Sequence, residues 1–455
     1  MDCLRADHLG CLGYLGNTTP NLDSLAKKGI LFSQAISNGG NTVSAFPAIL
    51  TSSYSRMHHL RESGDLPHGW LFLSETRKSI AEILKSNGYN TAAFLSNPWV
   101  SSFFHYNRGF DDFYDKTSNS LSKAEIFRGF GLAYKILDSF RVGHALYSIL
   151  KGSKGNADRA RIINDKAISW LKEHSGNFFL WLHYMDAHEP YIPLESTISE
   201  RLKAVRLFRK SKDPQFSKHN LRILVDLYDR EIKYVDREIG ILLNRISKMG
   251  LLENTYIILT SDHGQQFMEH GIIGHGYLYD EVVRVPLMIS GPGIPPNTLI
   301  QKQVCLLDLS PTILDLLNIP KAASFQGETF LPKIFSEKKQ EEGVIIEGIP
   351  FKHQGKTLSR FCLRTEKWKY ILLLNENYEQ VDAELYDIIS DPAEQKNIAR
   401  REEKIVYKMK LKLLDHIDME KREQKPQNMR EMSKLEFNKE NRREIERRLE
   451  GLGYI

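Results

Sequence analysis

The sequence predicts an α/β fold with a small antiparallel sheet towards its C-terminal end, and three observations predict it. Short apolar runs alternate with amphipathic helical segments over most of the chain. Asp262 and His263 stand just past one such run, at the kind of strand end where open α/β sheets bind ligands. After about residue 340 the pattern changes to closely spaced short strands.

Taken in order, Leu22–Lys28 reads as a short helix stopped by Gly29, and Ala45–Ser52 as a helix that tolerates Pro47 in its first turn. Lys78–Ser86 is a helix ended by Asn87 and Gly88, followed by the strand Asn90–Leu95. Phe178–His183 is a continuous apolar run, hence a buried strand. Leu221–Met249 is a long amphipathic helix, with Leu224, Leu227, Val235, Ile239 and Leu242 at helical spacing and Gly250 at its end. Thr255–Thr260, β-branched and aromatic, is the strand before Asp262, and Ser310–Leu317 is a further helix. Gly343–Glu347, Arg360–Arg364, Lys367–Leu373 and Glu384–Asp387 make the small sheet. From Ala399 the chain is highly charged with helical propensity, closing on the apolar Leu449–Ile455. The expected division is a catalytic domain over 1–338, a small-sheet subdomain over 339–400 and a charged helical tail over 401–455. Ser118–Ala157 and Ser196–His219 are polar and basic and read as peripheral, the run Arg206–Lys212 as solvated surface.

A chain of 455 residues can bury a large core, and 41% hydrophobic and 26% charged residues are ordinary for a globular protein. A net charge of +5 spread over this length gives no argument for nucleic acid. Cys3, Cys11, Cys305 and Cys362 form neither a CxxC pair nor a zinc spacing, which fits a reducing compartment. With no apolar stretch of the roughly 18 residues a membrane span needs and no signal peptide, a cytoplasmic protein is expected.

Six segments in one order carry a resemblance: Asp2–Asp7, Leu9–Tyr14, Thr19–Gly29, Thr42–Ser52, Met185–Tyr191, and Asp262–Gly264 with Gly274–Gly276. Together they resemble the sulfatase family of the alkaline phosphatase superfamily. Glu384–Asn397 and Leu449–Ile455 are similar to that family's C-terminal signature and terminus. The resemblance implies a three-layer α/β/α sandwich around a mostly parallel sheet. It also implies one divalent metal ion and an anionic ester substrate: a glycan, lipid headgroup or small molecule.

The resemblance makes Asp2, Thr42, Asp262 and His263 the metal ligands, and Thr42, His188 and His275 the catalytic residues. Cys3 stands where many relatives carry a second acidic ligand. Thr42 aligns with the family's nucleophile, but the setting Thr42–Phe46 has no Cys or Ser at the first position, no Pro two residues on, and Phe46 in place of Arg. Formylglycine is therefore not expected, and a metal-activated threonine hydroxyl is. The alternative for Thr42 is a local hydrogen bond or cap, with Ser44 as the backup hydroxyl. His188 is expected near the ester oxygens, and His275, between two glycines, near the leaving group as a cation or proton donor. Asn97 is weighed between a pocket residue and an Asn-Pro turn, and His270 between a further ligand and a surface residue. One His among oxygen ligands suggests Zn or Mn, with Mg or Ca allowed. Only Met1 precedes Asp2, so an apolar, β-branched strand is expected upstream. The competing readings are a sulfuric ester hydrolase in the ordinary sense and a degenerate, non-catalytic relative that binds an anion or glycan.

Overall fold

The computed structural model describes residues 1–61, 70–115, 159–210, 216–332, 343–424 and 446. The expected peripheral segment Ser118–Ala157, residues 211–215, the 338/339 boundary and the terminus Leu449–Ile455 lie outside the described residues.

The longer helices are α1 Pro20–Lys27, α2 Thr42–Thr51, α3 Ile80–Ser86, α4 Ala160–Glu173, α5 Ile198–Lys210, α6 Lys218–Lys248, α7 Leu309–Leu316 and α8 Glu403–Gln424. The main strands of the large unit are β1 Ile30–Ile36, β2 Asn90–Leu95, β3 Asp112–Tyr114, β4 Phe178–His183, β5 Ile257–Thr260, β6 Arg284–Ser290 and β7 Thr298–Ile300. Strands β3-β2-β4 are parallel, while in β7-β1-β6-β5 only β6 runs against its neighbours. The backbone of Met1 and Asp2 lies between β4 and β5. Asp2 N–H donates to Tyr184 O at 2.8 Å, and Met1 O accepts from Asp262 N–H at 3.3 Å. The Met1 nitrogen reaches Thr260 O at 2.8 Å, so Met1 brackets Ser261 in the pattern of a parallel pair.

Successive side chains of a strand face opposite ways, and this splits the core in two. Ile30, Phe32, Ala93, Leu95, Leu287 and Ile289 pack under Phe46, Ile49, Ile83 and Leu314 of α2, α3 and α7. Leu31, Ala92, Phe94 and Met288 pack on the other face under Leu22, Ile163, Leu207 and Leu227 of α1, α4, α5 and α6. The result is the expected three-layer α/β/α sandwich.

Two central strands, β1 and β6, were not anticipated. Pro286 cannot donate to a ladder and argues against a central strand. The structure accommodates it at an irregularity: Phe32 pairs Leu287 and Ala35 pairs Val285, so Ser33 and Gln34 together face Pro286. Helix α2 also starts earlier than expected, at Thr42, because Asn41 and Ser44 close a capping box. Pro47 therefore lies in the second turn.

The small sheet is antiparallel, in the order β8 Val344–Glu347, β9 Lys356–Arg364, β10 Trp368–Asn375, β11 Gln380–Asp387. Met409, Leu413 and Ile417 of α8 are buried against its Phe361, Tyr370, Leu372 and Leu385. The expected boundary at residue 400 is corrected accordingly: these three positions give α8 one apolar stripe, and it belongs to the small-sheet unit. A buried ionic cluster fastens that unit to the large one. Glu347 of β8 accepts from Ser55 Oγ at 3.0 Å, Arg56 N–H at 3.3 Å and His416 Nε2 at 2.9 Å. Glu420 lies 3.3 Å from Arg56 Nε. Among the described residues no helix is long and apolar enough to cross a membrane.

Leu413 is fully buried, so Leu413→Ala should destabilise the protein by about 2–5 kcal/mol in denaturant unfolding. A change indistinguishable from zero would return α8 to the status of a free tail.

Candidate active site

The C-terminal edge of the parallel strands gathers the chemistry. Asp2 follows the Met1 backbone, Asn97 follows β2, His183 ends β4, and Asp262 and His263 follow β5. Thr42, after β1, is the first residue of α2. His263 Nε2 lies 3.7 Å from Asp2 Oδ1, 3.5 Å from Asp262 Oδ2 and 3.4 Å from Thr42 Oγ1. Four of the expected residues are thus brought to one point.

The ring orientation of His263 is set behind it. Its Nδ1 is 2.9 Å from Gly264 O, a carbonyl that can only accept, so the proton sits on Nδ1 and the Nε2 lone pair faces the carboxylates. Asn97 is oriented the same way. Its Oδ1 accepts from Trp99 N–H at 2.8 Å, so its amide group donates to Asp2 Oδ2 at 2.5 Å and to Thr42 Oγ1 at 3.3 Å. The two readings weighed for Asn97 are both realised: it makes the turn and it faces the site. His183, a residue not anticipated, donates from Nε2 to Asp2 Oδ2 at 3.2 Å.

The electrostatics separate the two carboxylates. Burial disfavours the charge on Asp2, but the hydrogen bond from His183 and the neighbouring histidines outweigh it and hold the carboxyl well below its usual range. Burial, then the charge of Asp2, pushes the Asp262 carboxyl up. Asp2 Oδ1 and Asp262 Oδ2 are buried without a hydrogen-bond partner. Two orphaned carboxylate oxygens facing an imidazole lone pair and a hydroxyl are a donor set that fits one divalent cation.

His188 and His275 stand beside this point, their ring centroids 5.4 Å apart, with His275 4.6 Å from the His263 ring. His275 is held between Gly274 and Gly276, whose φ angles of 137° and 99° no ordinary residue adopts readily. Burial pushes the His275 imidazole down to about 3, which disfavours the expected cation in the ligand-free protein. Glu189 Oε1 is 3.6 Å from His275 Nδ1, and Gln265 Oε1 is 3.2 Å from it. Cys3, with φ 55°, turns the chain directly after Asp2 and puts Sγ 3.8 Å from His263 Nδ1.

Ser44 does not face the site, a correction to its expected backup role: its Oγ accepts from Asn41 N–H at 3.4 Å and its own N–H donates to Asn41 Oδ1 at 2.9 Å, the two bonds of the capping box. His270 stacks on Tyr279 at 3.6 Å and lies 3.4 Å from Glu281, in a separate cluster. In front of Thr42 a cavity of about 320 Å³ opens between the two units, lined by Thr42, Trp99, His275 and Tyr277 on one side and Phe351, His353 and Arg360 on the other. A strand-terminal histidine such as His183 was visible in the sequence. Arg360, an arginine inside a strand, carried no such signal.

A sandwich of this topology, with a donor set that fits a divalent cation at its strand ends, defines an alkaline phosphatase-like fold. The sulfatase family model matches residues 1–319, and the chain belongs to the sulfatase family. The model of the N-sulphoglucosamine sulphohydrolase C-terminal region matches residues 268–425. Arylsulfatase K of Canis lupus familiaris is 29% identical over 248 residues, covering 53% of this chain and 46% of that protein. Arylsulfatase K of Homo sapiens is 29% identical over 240 residues, covering 51% and 44%. The matched region thus spans about half the length of these curated relatives. Among solved structures, the phosphonate monoester hydrolase of Agrobacterium radiobacter superposes with a TM-score of 0.69 at 20% identity, covering 92% of this chain and 94% of that one. A protein solved in complex with its substrate D-glucosamine-2-N,6-O-disulfate gives 0.68 at 20% identity, covering 94% and 98%. Members of the sulfatase family use a divalent metal ion. The expectation of a cytoplasmic protein is corrected by the same comparison, because arylsulfatase K is a lysosomal or endoplasmic-reticulum enzyme and not a cytoplasmic one.

The raised Asp262 carboxyl has a consequence for the metal-free protein. The folded state holds this proton more tightly than the unfolded chain, whose aspartate value is about 3.9. The contribution to stability is present below that value and is lost as pH rises through the folded-state value. Asp262→Asn should therefore raise the melting temperature in chelator at pH 8, and raise it less at pH 5. Added Mn or Zn should stabilise the wild type and not the variant. A variant less stable than wild type at pH 8 in chelator would contradict this.

Proposed function

We propose that the protein is a metal-dependent hydrolase or transferase of sulfate or phosphate esters, with the Thr42 hydroxyl as nucleophile. One observation carries the reading: Thr42 Oγ1 converges with the two orphaned oxygens of Asp2 and Asp262 and the lone-pair face of His263. Asp2, Asp262, His263 and Thr42 would hold the ion, and one nitrogen among oxygen ligands favours Zn or Mn over Ca. Bound there, a divalent cation supplies Lewis acidity that lowers the proton affinity of the hydroxyl and offsets ester charge.

The residues divide the remaining work. Asn97 donates to Thr42 Oγ1 and fixes its lone pairs. The start of α2 turns its N–H groups and positive end to the bound anion. Thr42 Oγ forms a bond to sulfur or phosphorus as the bond to the ester oxygen breaks. The hydroxyl proton passes to solvent, and the departing oxygen takes one from solvent. His275, whose charged form burial disfavours, is a hydrogen-bond partner for the leaving oxygen, and His188 faces the same space. Water or an acceptor alcohol then takes the group from Thr42 and restores the hydroxyl. The Thr42–Phe46 segment lacks the Cys/Ser, Pro and Arg that direct formylglycine formation, which supports a free hydroxyl. The names of the relatives, an arylsulfatase and a phosphonate monoester hydrolase, support an anionic ester as substrate.

Aryl sulfates, phosphate monoesters and phosphate diesters assayed across Mn, Zn, Mg and Ca test the reading. Thr42→Ala should lower turnover by orders of magnitude, on the scale lost with a nucleophile. Ser44→Ala should cost at most about 1 kcal/mol of stability, through the lost reciprocal bond of the capping box, and little turnover. Mass spectrometry should find threonine, unmodified, at residue 42. If Ser44→Ala is the more damaging to rate, the nucleophile is misassigned. If no ester is turned over with any metal, the non-catalytic reading takes its place.

A further inference from the structure

We infer that Arg360 forms a second anion subsite, selecting single-ring esters that carry another negative group, a carboxylate or a second sulfate. The inference rests on the ester-transfer reading above and names its substrate class. Thr42 and Arg360 line the same cavity. Its volume of about 320 Å³ sits at the small end of ligand pockets, roughly 300–1,000 Å³, which suits one ring. Trp99, Tyr277 and Phe351 give it aromatic walls.

The guanidinium of Arg360 lies between two of those rings, 4.3 Å from the Tyr277 centroid and 4.2 Å from that of Phe351. Cation–π contact with two rings restricts the guanidinium and leaves N–H donors for a planar or tetrahedral anion. Among the described residues no carboxylate lies within ion-pair distance of it, although the surrounding cations are paired. Arg364 meets Asp280 at 2.7 Å, and Lys369 meets Asp280 and Glu394 at 2.8 Å each. Of the acids on the same side of the small sheet, Glu384 accepts from Tyr279 and Tyr386 hydroxyls at 2.8 and 2.6 Å, and Asp382, opposite Leu373, is exposed. The fold therefore neutralises its structural cations and leaves this one, oriented and half-buried, facing the cavity that begins at the nucleophile. Such a group gains a charge-assisted, bidentate partner when a substrate brings the missing anion.

The test compares glucosamine 6-sulfate with glucosamine 2-N,6-O-disulfate and with a sulfated hexuronate, using metal-loaded protein. For the wild type, kcat/KM should be higher for the doubly anionic esters. In Arg360→Gln the ratio of doubly to singly anionic kcat/KM should fall at least tenfold, mainly through KM, and Arg360→Lys should restore part of it. A larger fall for the hexuronate assigns the subsite to carboxylate, and a larger fall for the disulfate assigns it to sulfate. An unchanged ratio, or equal losses on all three esters, overturns the inference. If the wild type turns over none of them, the ester-transfer reading fails separately, and the subsite is read by thermal shift with the disulfate. A stabilisation that Arg360→Gln loses keeps the subsite, and its absence in the wild type removes it.

Discussion

Two carboxylates buried against each other set the terms for this molecule. Asp2 and Asp262 are both shielded from water, and each presents one oxygen that no hydrogen bond satisfies. In a low-dielectric pocket such a pair repels strongly, so the surroundings must hold them there. His183 and Asn97 take the outer oxygen of Asp2, the His263 N–H takes Asp262 Oδ1, and the inner oxygens remain turned to the His263 lone pair. The members come from the ends of β2, β4 and β5 and from the Met1–Asp2 backbone between them, and only a sheet rigid across those strands keeps them within reach of one ion.

The strands that carry this chemistry were the legible part of the chain. Asn90–Leu95 and Phe178–His183 are found where the apolar runs place them, and the long helix differs by only a few residues. The strands in between were harder. Ile30–Ile36 mixes Ser33 and Gln34 into its apolar run, and Arg284–Ser290 contains Pro286, and these interruptions meet at one bulge. Each sequence feature is explained only by the other, two hundred and fifty residues away in the chain, and no local pattern shows that. The site divides similarly. Motif order brought out Asp2, Thr42, Asp262 and His263, whereas the commitment of Ser44 to a cap and the disfavoured cation at His275 follow from packing.

The small sheet lies against the site rather than apart from it. Residues of β9 and of the short strand before it form one wall of the cavity whose other wall carries Thr42. In the proposed reading, chemistry and recognition are supplied by different sheets, and the small sheet is free to vary its side chains without disturbing the proposed ligands.

The ionic cluster of Glu347, His416, Glu420 and Arg56 bears on how these two parts can be exchanged. It joins β8 and α8 to the turn that follows α2. Removing one partner of a buried ionic group strands the others without compensation. A chimaera that transplants the recognition sheet from a relative must therefore carry the Ser55–Arg56 turn with it. The unit of modular exchange is discontinuous in the chain, and grafts cut at the expected 338/339 boundary will misfold at the seam before their selectivity can be read.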